Sequence, residues 1–325
     1  MATAEPGSAA GGVYVHLPFC ARICPYCDFA VTVGDRSARR RLVGAVTSEI
    51  ERHAGGLPAP IDTIYFGGGT PSLIGVDDLA RIVETLRRCL DVRTDLEIFL
   101  EANPEDVDGR AVEAWSRIGV TTLSLGVQSL DAAALAFLGR AHTPADAARA
   151  VETALAADFR TVSIDLIYAR PGQRLADWRH ELTAAAALGS DHLSCYQLTL
   201  ASGTPFGRRA ARGDLVEPPQ RRQAELFMAT HETLADLGYE GYEVSNFARS
   251  PRHRSRHNLK YWKRAPYLGF GPSAHSQVGA ERWWNEARSG AYVERIEAGE
   301  PAVAGRESLS ADEELLERVM LGLRT

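Results

Sequence analysis

The stretch Val13-Tyr14-Val15-His16-Leu17-Pro18-Phe19-Cys20-Ala21-Arg22-Ile23-Cys24-Pro25-Tyr26-Cys27 decides the reading of this chain. Its first five residues alternate, with Val13, Val15 and Leu17 on one side and Tyr14 and His16 on the other, the period of a β-strand with one apolar face. Three cysteines then fall within eight residues, directly after the strand. Such a loop can wrap one small inorganic cluster, and three ligands for four irons leave one iron open. A structural zinc would want a fourth close Cys or His, and plain buried thiols are the third reading. Cys89 and Cys195 stand alone in the sequence. An odd total of five, three of them clustered, does not resemble a secreted disulfide framework, so a reducing cytoplasm is expected.

Outward from this loop the strand pattern recurs. β-rich runs at 63–66, 97–102, 121–127, 161–168 and 192–199 alternate with helix-like stretches at 38–53, 77–90, 131–138, 144–157 and 175–187. Strand alternating with helix predicts βαβ units, a parallel sheet and an incomplete (β/α)6 barrel over 13–204. In the third run Ile98, Leu100 and Ala102 oppose Glu97, Phe99, Glu101 and Asn103. In the fifth, Val162, Ile164 and Leu166 oppose Thr161, Ser163 and Asp165. A closed eight-stranded barrel fills its interior with Val, Ile and Leu, so these polar faces predict a wider barrel that encloses a ligand. The inward face of the sixth run stays ambiguous. Gly67-Gly68-Gly69-Thr70-Pro71 follows the second strand, where glycines let the backbone approach a ligand or simply make a tight turn.

Beyond residue 204 the alternation stops. Residues 220–237 read as one helix, and 239–279 as a loop-rich segment or small sheet, within a smaller α+β extension over 205–305. Ser310 and Glu313 form a capping-box pattern, followed by an apolar stripe of Leu315, Leu316, Val319, Met320 and Leu323. Residues 1–12 are small and polar and read as a disordered tail without an export signal. The chain carries 45% hydrophobic and 24% charged residues and a formal net charge of −6, with no apolar run of membrane-spanning length. That balance argues against nucleic acid as a partner, the basic stretch at 249–264 notwithstanding.

The C-x3-C-x2-C loop preceded by YVHLPFC resembles the radical-SAM superfamily. Together with GGGTP at 67–71, EANPE at 101–105, GVQS at 126–129, DLIY at 165–168 and HNLKYW at 257–262, it resembles the oxygen-independent coproporphyrinogen oxidase family and its haem-chaperone branch. The resemblance runs from Tyr14 to Thr325. It implies a [4Fe–4S] cluster on Cys20, Cys24 and Cys27 with S-adenosylmethionine (SAM) as the exchangeable fourth ligand. It also implies SAM contacts at Tyr14, Gly68, Gly69, Thr70, Glu101, Gln128, Arg140 and Asp165, with Gln197 at a less secure equivalent position. For Glu101 and Asp165 the plain alternative is an internal ion pair with an Arg; for Arg140 it is a solvated helix end.

Two departures separate the branches. The oxidases carry a fourth cysteine in the loop where this chain has Phe29, and HNLKYW marks the chaperone branch. The resemblance therefore implies a carrier that binds haem, with His257 as the iron-ligating or positioning residue, Tyr261 and Trp262 packing nearby, and surrounding bases for the propionates. Without the resemblance, the same segment reads as a solvated basic loop with a structural His–Asn pair. The haem passes to an acceptor protein, through which any membrane contact would come, and a flavodoxin- or ferredoxin-type donor serves the cluster. The competing reading is a coproporphyrinogen III oxidase that cleaves SAM and decarboxylates a porphyrinogen. Where the family shows YGLPGQT, this chain has Tyr168-Ala169-Arg170-Pro171-Gly172-Gln173-Arg174, which predicts an added charge near the site mouth. The family continues after MLGLRT into a small winged-helix-like domain. Residues 306–325 thus read as the truncated start of such a domain, a helix that either packs back on the barrel or is poorly ordered.

Overall fold

The computed structural model describes residues 10–57 and 59–325. Six parallel strands lie side by side in chain order: β1 (Gly11–Leu17), β2 (Ile61–Gly68), β3 (Val92–Ala102), β4 (Thr122–Gln128), β5 (Thr161–Tyr168) and β6 (His192–Gln197). Their crossovers carry α1 (Arg36–His53), α2 (Val76–Cys89), α3 (Gly109–Arg117), α4 (Ala132–Phe137), α5 (Pro144–Leu155) and α6 (Leu175–Ala187). The result is a partial (β/α)6 barrel of the TIM-like kind, as the alternation predicts. Residues 1–9 of the expected tail lie outside the described residues, while Gly11 and Gly12 belong to β1.

Register explains why the barrel has two unlike faces. Val13 pairs with Ile64, Ile64 with Ile98, Leu100 with Leu123, Leu125 with Ile164 and Leu166 with Cys195, one apolar row under the helices. Residues of the alternate parity pair just as regularly on the inner face: Tyr14 with Tyr65, Tyr65 with Phe99, Glu101 with Ser124, and Asp165 with Ser194. The helices present matching stripes, such as Leu79, Ile82, Val83 and Leu86 of α2. Caps fix where helices begin. Asp35 accepts from Ala38 N at 2.8 Å before α1, and Thr143 with Asp146 closes a capping box around Pro144 of α5.

The rest of the chain is α7 (Pro205–Ala211), α8 (Gln220–Asp236), β7 (Glu240–Gly241), β8 (Asn246–Ala248), α9 (Arg256–Trp262), β9 (Tyr267–Phe270), β10 (His275–Val278), β11 (Glu281–Asn285), α10 (Ser289–Glu297), β12 (Val303–Ser308) and α11 (Ala311–Gly322). Its strands do not make a separate sheet. β9 pairs parallel with β1 and β8 antiparallel with β6, so the extension continues the barrel sheet at both borders. The boundary expected at 305/306 falls inside β12. Glu49 of α1 is buried and takes hydrogen bonds from Gly271 N, Asn285 Nδ2 and the Tyr292 hydroxyl at 2.6–2.9 Å, tying barrel to extension.

The helix that carries the apolar stripe packs on the protein through its opposite side. Glu317 pairs with both Arg264 and Arg282. The Arg324 guanidinium lies 4.8 Å from the Trp262 ring centroid. The acidic side of α11 therefore faces the protein, while Leu316 and Leu323 are 71% and 83% exposed.

Candidate functional site

One cavity of about 440 Å³ opens beside the cysteine loop and runs down the barrel interior. The loop that shapes its mouth is closed by a short ladder, with Cys20 N donating to Thr32 O at 2.9 Å and Thr32 N to Pro18 O at 2.8 Å. α7 pins it from outside through Phe206 N to Pro25 O at 2.9 Å. Cys20, Cys24 and Cys27 all border the cavity and all are free thiols. Among the described residues, no three His, Cys, Asp or Glu side chains converge on a point that would grip a single ion. The other two cysteines are elsewhere, Cys89 at the end of α2 and Cys195 buried within β6.

Burial raises the pKa of Cys20 and Cys27, against a hydrogen bond from Thr70 Oγ1 to Cys20 Sγ at 3.5 Å and one from Phe29 N to Cys27. Arg140 donates to Cys24 Sγ at 3.6 Å and to Gly126 O at 2.9 Å, and also bonds Asn103 Oδ1. Its Nε is buried with no partner. Arg140 is therefore no solvated helix end. Three thiols, one guanidinium and a donor still to be satisfied fit a multi-iron cluster carrying an anionic ligand group, because iron removes the cost of burying thiolates.

Deeper, the inner faces of β2 to β6 supply the wall. Glu101 accepts from the Tyr65 hydroxyl at 2.8 Å and from Gly68 N at 3.2 Å. Asp165 accepts from Ser124 Oγ at 3.1 Å. Burial pushes Glu101 up to about 7, with the Asp165 charge adding to the rise against the Tyr65 bond, and pushes Asp165 up to about 6. Among the described residues neither forms an ion pair, so the internal-pair alternative does not hold. Two cavity carboxylates without a protein cation suit a ligand that brings positive charge of its own. Gln128 lines the same space with φ 66°, a left-handed backbone costly for a side-chain residue. Gln197 lines it too and donates to Gln223. The ambiguous sixth strand turns His192, Ser194 and Tyr196 inward.

Several expectations are corrected. Tyr14 does not border the cavity: its hydroxyl lies 3.0 Å from His16 Nδ1 and its ring packs beside Tyr65. Gly68 and Gly69 both border the cavity, and Gly69 is also demanded by its own chain, since a Cβ there would meet Pro18 carbon and oxygen at 2.6 Å, an approach of one loop to another. Gly68 has φ 113°, and its Cβ would strike the His16 ring. Arg170 does not charge the mouth. It is buried against Glu181 at 3.0 Å and donates to Ser129 Oγ at 3.1 Å.

His257 does not border the cavity. It is 1% exposed, with Nδ1 at 2.9 Å from Thr63 Oγ1 and Nε2 at 2.8 Å from the Tyr261 hydroxyl. Burial lowers its pKa to about 3. Both ring nitrogens are hydrogen-bonded to hydroxyls, so binding an iron would require one of these bonds to break. Three of the bases around it are engaged as well, Arg256 with Asp95 and Glu97, Lys260 with Asp62, and Arg254 with Glu240. Sequence reasoning missed Tyr65, Ser124 and Asn103 as the partners of Glu101, Asp165 and Arg140. Their inward parity in the alternation was the available signal.

Residues 14–184 match the Radical SAM superfamily model. The chain is 39% identical to the haem chaperone HemW of Mycobacterium tuberculosis over 96% of its own length and 81% of that protein's. It is 36% identical to HemW of Synechocystis, over 96% and 77%. The solved coproporphyrinogen III oxidase HemN of Escherichia coli, a radical SAM enzyme, superposes with a TM-score of 0.84 at 22% identity, over 98% of this chain and 76% of that one. The cysteine loop, the inward carboxylates and these likenesses agree: the chain belongs to the radical SAM superfamily and, within it, to the HemW haem-chaperone family.

Proposed function

We propose that this protein binds haem and hands it to an acceptor protein, on a scaffold that holds a [4Fe–4S] cluster and SAM. The observation that carries the reading is the meeting of Cys20, Cys24 and Cys27 with Arg140, Glu101 and Asp165 around one cavity, in a chain related to haem chaperones. Cys20, Cys24 and Cys27 would hold the cluster, which when bound supplies a reducing electron and an open iron position for SAM. Gly68, Gly69, Thr70 and Gln128 border the ligand space, Glu101 and Asp165 give it negative charge, and Arg140 steadies the Cys24 side. Phe29, 69% exposed, stands where the oxidases have their fourth cysteine and supports the carrier reading. Three free thiols suit the cytoplasm, where a flavodoxin- or ferredoxin-type protein would supply the electron.

The test is anaerobic reconstitution with iron and sulfide, followed on one sample by SAM binding, haem titration, haem release to an apo-acceptor and a porphyrinogen-oxidation assay. Stoichiometric haem binding without porphyrinogen turnover supports the carrier. Turnover without haem binding replaces it with the oxidase.

A further inference from the structure

We propose that His257 is a positioning residue for the SAM pocket, acting through Tyr65 on Glu101; this rests on the reading of the cavity given above. Thr63 and Tyr65 are alternate residues of β2, and both meet the His257 ring. Nδ1 bonds Thr63 Oγ1 at 2.9 Å, and the imidazole centroid lies 5.1 Å from the Tyr65 ring. Tyr65 in turn stacks on Phe99 at 5.6 Å and 21° and reaches Glu101 Oε1 with its hydroxyl at 2.8 Å. Two aromatic layers therefore separate α9 from the carboxylate that faces the ligand space.

The seat of the imidazole is fixed from every side. Tyr261 closes Nε2, and its own ring meets Tyr267 edge-on at 4.8 Å. Lys260 locks the same helix to the start of β1 through Ala10 O at 2.7 Å and to Asp62 of β2. Gly12 leaves room for this: a Cβ there would meet Lys260 Cδ at 2.9 Å and Thr63 Oγ1 at 3.0 Å. A tyrosine ring held between neighbours keeps its hydroxyl direction, whereas loss of one wall lets it tilt. Glu101 would then lose its strongest donor and its orientation toward the ligand. The segment that marks the chaperone branch thus buttresses the SAM wall from behind.

The test compares parent, His257→Ala, His257→Phe, Tyr65→Phe and the His257→Ala/Tyr65→Phe double variant after anaerobic reconstitution. Readouts are iron and sulfide content, SAM affinity by equilibrium dialysis, haem affinity by titration, and melting temperature. His257→Ala is expected to weaken SAM about tenfold with cluster content and haem affinity unchanged, Tyr65→Phe to do the same, and the double variant to lose no more than the larger single. His257→Phe restores the wall and most of the affinity, and keeps the test alive if the alanine variant fails to fold. Unchanged SAM affinity in His257→Ala, or fully additive losses, overturns the proposal. Lost haem affinity with intact SAM affinity returns His257 to the iron. A parent that binds no SAM removes the pocket reading and this role together, whereas a parent and variants that bind it equally remove only the role of His257.

Discussion

Arg140 donates to the sulfur of Cys24 at 3.6 Å while its other amino group bonds Gly126 O, so one guanidinium joins the cysteine loop to β4. Replacing it with Leu removes a buried cation and takes its donor from three acceptors, Cys24 Sγ, Asn103 Oδ1 and Gly126 O. SAM affinity is expected to fall at least about tenfold, on the order of 1.4 kcal/mol, measured by equilibrium dialysis on reconstituted protein. Cys24→Ser, by contrast, abolishes the brown chromophore itself, as do Cys20→Ser and Cys27→Ser. Cys89→Ser and Cys195→Ala retain it. Loss of the chromophore in a Cys89 variant with retention in a Cys24 variant would overturn the ligand set.

The cavity carboxylates give a pH dependence of definite sign. Glu101 and Asp165 titrate near 7 and near 6 in the fold, above their ordinary values, so the folded chain binds more protons than the unfolded chain between about pH 4 and pH 7. Their contribution to stability is therefore most favourable below pH 4, declines as pH rises, and is fully unfavourable above pH 7. Glu101→Gln is expected to raise the stability of ligand-free protein at pH 8 by on the order of 2 kcal/mol, and to raise it little at pH 5. The same variant weakens SAM. Denaturant titrations at the two pH values check the sign; a larger gain at pH 5 would refute it.

Arg170 and Glu181 form a buried ion pair at 3.0 Å. Arg170→Leu leaves Glu181 buried and unpaired and is expected to cost about 3 kcal/mol. The Arg170→Leu/Glu181→Leu double variant recovers most of that loss, because an apolar pair of similar volume needs no desolvation. Urea unfolding of the two singles and the double checks the cycle. Ser129, which both residues contact, follows Gln128 directly, so the singles also weaken SAM.

The outermost helix rests on charge. Glu317→Ala leaves the nearly buried Arg264, beside Arg282, with only the longer 3.7 Å pair to Glu314 and is expected to open α11 to limited proteolysis, at a cost of about 2 kcal/mol. Leu316→Lys and Val319→Lys change the stability of this chain by less than about 0.5 kcal/mol, since both side chains are exposed. A large loss from the lysine variants in chemical denaturation would mean that the stripe is covered.

The sequence by itself determined the elements whose signals are local and periodic. β5 and α6 lie at 161–168 and 175–187 as read, because strand parity and helical stripes are written residue by residue. Parity also put Glu101 and Asp165 on the polar inner face, and the loop after β1 brought three thiols together within eight residues. What only the tertiary structure decided were contacts between residues far apart in the chain. Thr63 and His257 are 194 positions apart, so whether that imidazole faced an iron or a hydroxyl depended on α9 being drawn against β2. Arg170 went inward because Glu181, one helix later, offered a buried partner. The stripe of α11 stayed outward because Arg264 and Arg282 captured Glu317 from the opposite face. A side chain's type and period set which face it can occupy; the partner brought to that face by the rest of the chain sets what it does there.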